Sequence, residues 1–151
     1  MESVVIGIDL GGTNLRIGAV TSDNEMIAPF VLESSIVADA KKPVEKICEI
    51  IADYSEKNGI RKIEAISMGV PSSVENDKET VICTTNIRNR AGEVVFSHVN
   101  VARDIKEHFH VPVFINNDVN NILLYDIVAN GLEDQKVVVG IISGPVWARQ
   151  W

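Results

Sequence analysis

Residues Asp9-Leu10-Gly11-Gly12-Thr13-Asn14 set a carboxylate beside two adjacent glycines, a hydroxyl and an amide. Adjacent glycines permit positive φ and a close approach of backbone to ligand. Backbone N–H groups in such a turn form an anion-binding concavity. Thr13 and Asn14 add side-chain donors for phosphate oxygens. A carboxylate next to a phosphate cradle is repelled unless a cation lies between them. Mg²⁺, which takes one or two carboxylates together with phosphates, suits Asp9. A second group, Asn116-Asn117-Asp118, follows a short apolar run and opens a helical pattern. A carboxylate there can take a proton from a hydroxyl as that hydroxyl attacks phosphorus. Asn117 beside it both donates and accepts, as a polyhydroxylated ligand requires. Gly69-Val70-Pro71-Ser72 closes another apolar run. Simpler accounts use the same letters: Gly-Gly is good hairpin chemistry, and Asp is a favoured helix N-cap.

The elements that must position these groups follow from periodicity. Val4–Leu10 and Leu15–Val20 read as two strands about the glycine turn, without the G-x-x-x-x-G-K-[ST] or helix-opening G-x-G-x-x-G patterns. Met26–Glu33 completes an antiparallel meander after a turn at Asp23-Asn24. Val44, Ile47, Cys48, Ile51 and Tyr54 recur at helical spacing between Pro43 and Asn58-Gly59. A strand starts at Ile63 and runs through Met68. Asn76-Asp77 marks a turn, Thr80–Thr84 a short strand, and residues 86–97 a polar surface loop. Ser97 or Asn100 caps a helix reaching about His110. Val111–Ile115 is a buried strand. Val119–Asn130 is a helix with Ile122, Leu123, Tyr125, Ile127 and Val128 inward, and Val137–Ile142 a last strand. Strand ends of an open α/β sheet are where ligands collect, and all three groups fall at such ends.

The chain has 151 residues, of which 46% are hydrophobic, enough for one domain with a real core. A net charge of −7 argues against general affinity for nucleic acid or anionic membrane. No apolar run reaches membrane-spanning length and the N-terminus lacks signal-peptide features, so a cytoplasmic location is expected. Cys48 sits among Ile47, Ile50 and Ile51 and reads as a buried thiol. His98, His108 and His110 fall in or beside a surface helix, and no zinc-ligand spacing is present. Arg16 reads as a strand-face residue or ion-pair partner.

Asp9-Leu-Gly-Gly-Thr-Asn-Leu-Arg16 resembles the first phosphate motif of the ROK sugar kinases, in the hexokinase/actin-like ATPase superfamily. Val113-Phe-Ile-Asn-Asn-Asp-Val-Asn120 is similar to the family's Asn-Asp-x-Asn segment. The resemblance implies an α/β fold, an RNase H-like lobe of order β-β-β-α-β-α-β-α. It implies that Gly11, Gly12, Thr13 and Asn14 grip ATP phosphates, that Asp9 helps to hold Mg²⁺, that Asn117 binds sugar and that Asp118 is the catalytic base. Gly69-Val-Pro71 resembles a sugar-approaching turn, although Ser72-Ser73 stands where the family usually has Gly-Pro. Those hydroxyls either contact a different sugar or cap the turn. Thr85-Asn86 resembles a sugar-facing Asn after a short strand. Met68–Ile87 and Asn117–Gly131 look most like the allose kinase branch, so a hexose (allose or a related sugar) is the implied substrate, and dimers the implied assembly.

The resemblance covers residues 4–143 and then stops. The family continues with a second glycine-rich phosphate loop and another lobe, which carries the adenosine pocket and a zinc motif. Residues 144–151 form a tail unlike the family. One spelling of Gly144–Trp151 becomes Gly-Thr-Gly-Leu-Gly-Ser-Ala-Met on adding a base to the glycine codon. The expectation is therefore a frameshifted or clipped N-terminal lobe, lacking the C-terminal lobe and inactive by itself. The competing expectation is a non-catalytic, sugar-binding regulatory domain of the same family; a different actin-like phosphotransferase is a third.

Overall fold

The computed structural model describes residues 3–140. Contacts divide the chain into two compact units, one ending at Asp118 and one beginning at Val119.

The first unit is built on a five-stranded mixed sheet. Strands β1 (Val4–Leu10) and β2 (Asn14–Val20) form the expected hairpin, and β3 (Met26–Glu33) continues the meander. Strand β4 (Ile63–Val70) pairs parallel to β1, and β7 (Val113–Asn117) pairs parallel to β4. The spatial order is β3-β2-β1-β4-β7. Between β4 and β7 the chain makes a separate two-stranded ribbon of β5 (Thr80–Cys83) and β6 (Ser97–Asn100).

One sheet face supplies the core. Ile6, Ile8, Leu10, Leu15, Ile17, Ile66, Met68, Val113 and Ile115 alternate along their strands and are buried. Helices α2 (Pro43–Lys57) and α3 (Val101–Phe109) contribute Ile47, Cys48, Ile51, Ala102 and Ile105 to the same cluster. Proline at the first turn starts α2, and Asn58 ends it by donating from Nδ2 to the Tyr54 carbonyl at 2.8 Å. Asn100, rather than Ser97, caps α3: its Oδ1 accepts from the Arg103 amide at 2.8 Å. On the opposite sheet face Val5, Val31 and Phe114 stand exposed.

Several expectations change. A one-turn helix α1 (Ser35–Ala38) follows β3, carrying Val37 and Ala38 into the core. Residues 86–97 are not wholly a surface loop. Ile87 and Phe96 are buried, an Arg88–Val94 bridge closes the loop, and its last residue starts β6. Two anchors at irregular spacing carry no periodic signal. In the second unit, α4 (Asp118–Ala129) forms as expected, yet it buries no residue; Ile122, Tyr125 and Val128 are exposed. A unit beginning at Val119 is too short to enclose a core of its own. Residues 137–140 are not strand, and Val137 and Val139 are exposed, because no described strand pairs with them. The rest of the expected last strand and the 144–151 tail lie outside the described residues. Among the described residues no helix is long and apolar enough to cross a membrane.

The turn before β5 is pinned by carboxylates. Asp77 accepts from the Glu79 and Thr80 amides at 2.9 and 3.0 Å. Glu79 accepts from Lys106 and from Asn100 Nδ2, tying this turn to α3. Backbone amides lower the Asp77 pKa from 3.8, and Lys106 followed by Asn100 lowers that of Glu79 from 4.5. The unfolded chain therefore binds more protons in acid. The contribution of these groups is complete above their ordinary carboxyl values and is lost as pH falls through the lowered folded ones. Thermal melts by circular dichroism from pH 6 to pH 2.5 should show Tm falling most steeply at the acid end. Asp77→Asn should flatten that dependence.

Burial pushes the Cys48 thiol up to about 11. Cys83 is only partly buried. A thiol reagent at pH 8 should modify Cys48 only after denaturant is added, as mass spectrometry of native and unfolded protein will report.

Candidate functional site

Strand register brings the predicted groups to one sheet edge. Asp9 pairs with Gly69, and Gly69 with Asn116. These are neighbours across three parallel strands, so Asp9 and Asn116 are about 10 Å apart between backbones. One residue further, Val70 pairs with Asn117, and Asp118 begins α4. All three strands run in the same direction, so this is the carboxyl edge of each.

The β1–β2 hairpin is braced on both sides. The Gly11 amide donates to the Asn14 carbonyl at 2.9 Å. Ser34, which is buried, donates from Oγ to the Gly11 carbonyl at 2.6 Å and from its amide to the Thr13 carbonyl at 2.9 Å. On the other side a Cβ on Gly12 would stand 2.8 Å from the Asn86 carbonyl oxygen. A Cβ on Gly11 would stand 3.2 Å from the Asn14 carbonyl oxygen. Neither glycine occupies the left-handed region that the sequence suggested; room for backbone is what excludes a side chain here. Gly12 and Thr13 are exposed, and their amides meet no acceptor among the described residues.

The Asn86 segment is itself held by its loop. Arg88 donates to the Thr85 carbonyl at 3.0 Å and to the Gly92 carbonyl at 2.7 Å. Asp39 accepts from the Arg90 amide at 2.8 Å and pairs with its guanidinium at 2.8 Å. The phosphate-type hairpin and the Asn86 segment thus touch through backbone, although they are far apart in sequence.

Ser72 holds the turn, one of the two roles that the sequence left open for it. It is buried, its Oγ accepts from the Cys83 amide at 3.0 Å, and the same hydroxyl lies 2.8 Å from the Cys83 carbonyl. Its carbonyl accepts from Asn117 Nδ2 at 3.1 Å. Ser72 therefore joins the end of β4 to β5 and steadies Asn117. Asn116 turns its own Oδ1 back to the Asn117 amide at 3.0 Å. Asn117 and Asp118 are half-buried at the strand end, and Asp118 stands in the first turn of α4, where a carboxylate is favoured.

Asp9 offers a partly exposed carboxylate, an oxygen donor of the kind a hard divalent cation takes, at the strand end that leads into the glycine hairpin, and it is ion-paired. Arg16 Nη1 lies 2.8 Å from Asp9 Oδ2. Among the described residues no three His, Cys, Asp or Glu side chains cluster as a metal site. A cleft of about 690 Å³ is lined by α1, α2, Arg90 and Glu33 at the end of β3, with charges of both signs, and by no residue of β1, β4 or β7. The sequence missed Ser34 and the Asp39–Arg90 pair. Their signal, a single serine after β3 and two distant charges, emerges only when the chain folds back.

A meander joined to parallel strands in the order β3-β2-β1-β4-β7, with a glycine hairpin at its carboxyl edge, defines a lobe of the actin-like ATPase class. The chain belongs to the ROK family, whose profile matches residues 5–144. Over 140 residues it is 25% identical to an N-acetyl-D-glucosamine kinase of Photobacterium profundum, covering 91% of this chain and 42% of the relative. It superimposes with TM-score 0.66 and 24% identity on a ROK family glucokinase from Streptomyces griseus in complex with glucose and AMPPNP, covering 82% of this chain and 36% of that one. A ROK family transcriptional regulator, homologous to the E. coli MLC protein, superimposes with TM-score 0.71 at 14% identity, covering 83% of this chain and 30% of that one. The chain spans 35–42% of the length of the curated relatives it matches.

Gly12→Ala must displace the Asn86 backbone, an overpacking cost of roughly 1–3 kcal/mol. Ser34→Ala leaves the Gly11 carbonyl without its side-chain donor, at about 1–3 kcal/mol. Urea unfolding should show both losses, and amide spectra should show Gly12→Ala shifting the signals of residues 85–88.

Proposed function

We propose that this chain is the N-terminal lobe of an ATP-dependent hexose kinase that transfers the γ-phosphoryl group to a sugar hydroxyl. The observation that carries the reading is the shared sheet edge, where a braced glycine hairpin touches the Asn86 segment and Asn117-Asp118 ends the neighbouring strands. The kinases among its relatives, and the glucose and AMPPNP bound by the Streptomyces griseus protein, support it.

In this reading the Asp118 carboxylate accepts a hydrogen bond from the attacking hydroxyl. It takes that proton as the new O–P bond forms and the bond from the γ-phosphorus to the β–γ bridging oxygen breaks, with ADP as the leaving group. Asn117 and Asn86 hold neighbouring hydroxyls and fix which one reaches the phosphate. Ser72 acts through Asn117, whose amide its carbonyl receives. The exposed amides of Gly12 and Thr13, with the Thr13 and Asn14 side chains, donate hydrogen bonds to phosphate oxygens. Asp9 would hold Mg²⁺, which would supply charge neutralisation for the phosphates. The sugar is allose or a close relative, on the likeness of Met68–Ile87 and Asn117–Gly131 to that branch.

The test is a coupled assay of ADP release with a panel of hexoses. It uses the chain alone and the chain extended through the reading frame downstream of the Ile141 codon. Transfer to allose or a neighbouring hexose by the extended protein is expected. Asp118→Asn should cut kcat by about 10²–10⁴-fold while sugar binding survives. Sugar binding with no transfer in either form would favour the regulatory reading, which the match to a ROK transcriptional regulator keeps in view. ATP hydrolysis indifferent to every sugar would sink the kinase reading.

A further inference from the structure

We propose that Arg16 is a resident counter-cation for Asp9, holding the carboxylate until a divalent cation arrives and setting how tightly that cation binds. This rests on the reading of Asp9 as the Mg²⁺ position. Asp9 and Arg16 are directly opposed in the β1–β2 register, so their side chains rise from the same sheet face. Arg16 reaches Asp9 through one oxygen, Oδ2, at 2.8 Å. The residues beside the pair in the same row, Val31 and Gly69, carry no charge. Arg16 is thus the one cation that this row offers Asp9.

Two properties make the pair exchangeable. Its side chains are 59% and 46% exposed, so water screens the attraction and replaces it when it breaks. Arginine stays charged at any working pH and never relaxes its hold by losing a proton. The carboxylate would otherwise face the mouth of an anion cradle with its charge uncompensated. With Arg16 in place the hairpin tolerates phosphate before any metal is present. When a divalent cation takes Asp9, Arg16 gives up the carboxylate, and the lost ion pair is subtracted from the metal's affinity. Removing the guanidinium therefore tightens metal binding, whereas a residue serving only to steady the hairpin would weaken it.

The experiment is a titration of the ¹⁵N-labelled chain with MnCl₂ at low ionic strength, read as paramagnetic broadening of the Gly11 and Gly12 amide signals. Wild type should broaden weakly, and Asp9→Asn should abolish the effect. Arg16→Met keeps the aliphatic stem without the charge and should bind Mn²⁺ about two- to fivefold tighter. Arg16→Lys, a looser partner, should fall between. The remaining amide signals of each variant report that the fold is kept, and Arg16→Gln serves if Arg16→Met unfolds. Equal or weaker binding in Arg16→Met and Arg16→Gln, with broadening still dependent on Asp9, overturns the proposal and leaves the Asp9 reading standing. Broadening that ignores Asp9 in every variant overturns both.

Discussion

The parallel register of β1, β4 and β7 is the constraint on which the rest depends. Each of these strands buries one face and leaves the other open, so a slip of one residue would exchange the two sets of side chains. Asp9, Gly69 and Asn116 share a row only because Ile8, Met68 and Ile115 share the row before it in the core. The apolar residues are thus the ruler by which the polar strand ends are set flush. A carboxylate at Asp9 and one at Asp118 are brought to one edge by burial of apolar residues one row behind them.

Strand ends are only as precise as the turns leaving them, and here the turns are held mostly through backbone atoms. Ser34 takes two carbonyls of the glycine hairpin, one through its hydroxyl and one through its amide. Gly12 lies against the Asn86 carbonyl, with no room for a side chain between them. Arg88 and the Asp39–Arg90 pair shape the loop that presents Asn86. The Ser72 hydroxyl spends itself on Cys83, while its carbonyl steadies Asn117. Surface ion pairs such as Lys42–Glu45 and Lys46–Glu49 add little by comparison, being largely exposed. Stiffness at the edge comes from hydrogen bonds that fix backbone, which suits chemistry that works chiefly by positioning.

The second unit has a different character. Helix α4 is apolar around much of its circumference and buries none of it. Such a helix is normally found inside a larger body. The chain matches well under half of the length of its curated relatives. Asp118 is the last residue of the first unit and the first of this helix. The candidate base therefore follows directly on the last registered residue of the sheet, Asn117, and opens the element that leaves it.

Much of this was legible in the sequence. The alternation of Val4–Leu10 and Leu15–Val20, the helical spacing from Val44 to Tyr54, and the apolar run ending at Asn116 follow from local periods of two and 3.6 residues, which neighbouring side chains impose. The glycine hairpin, Asn117 and Asp118 were readable as chemistry, and the family from their motifs. What tertiary structure alone decided is long-range. The sequence suggested backbone freedom at the glycines, whereas folding made them necessary by pressing Asn86 against Gly12. It left the Ser72 hydroxyl either to a sugar or to the turn, and folding turned that hydroxyl inward to Cys83. It read α4 as buried, because apolar letters do not say whether anything lies nearby to cover them. Local pattern fixes which way a side chain points along its own element. What that side chain meets depends on residues dozens of positions away, and no local period encodes them.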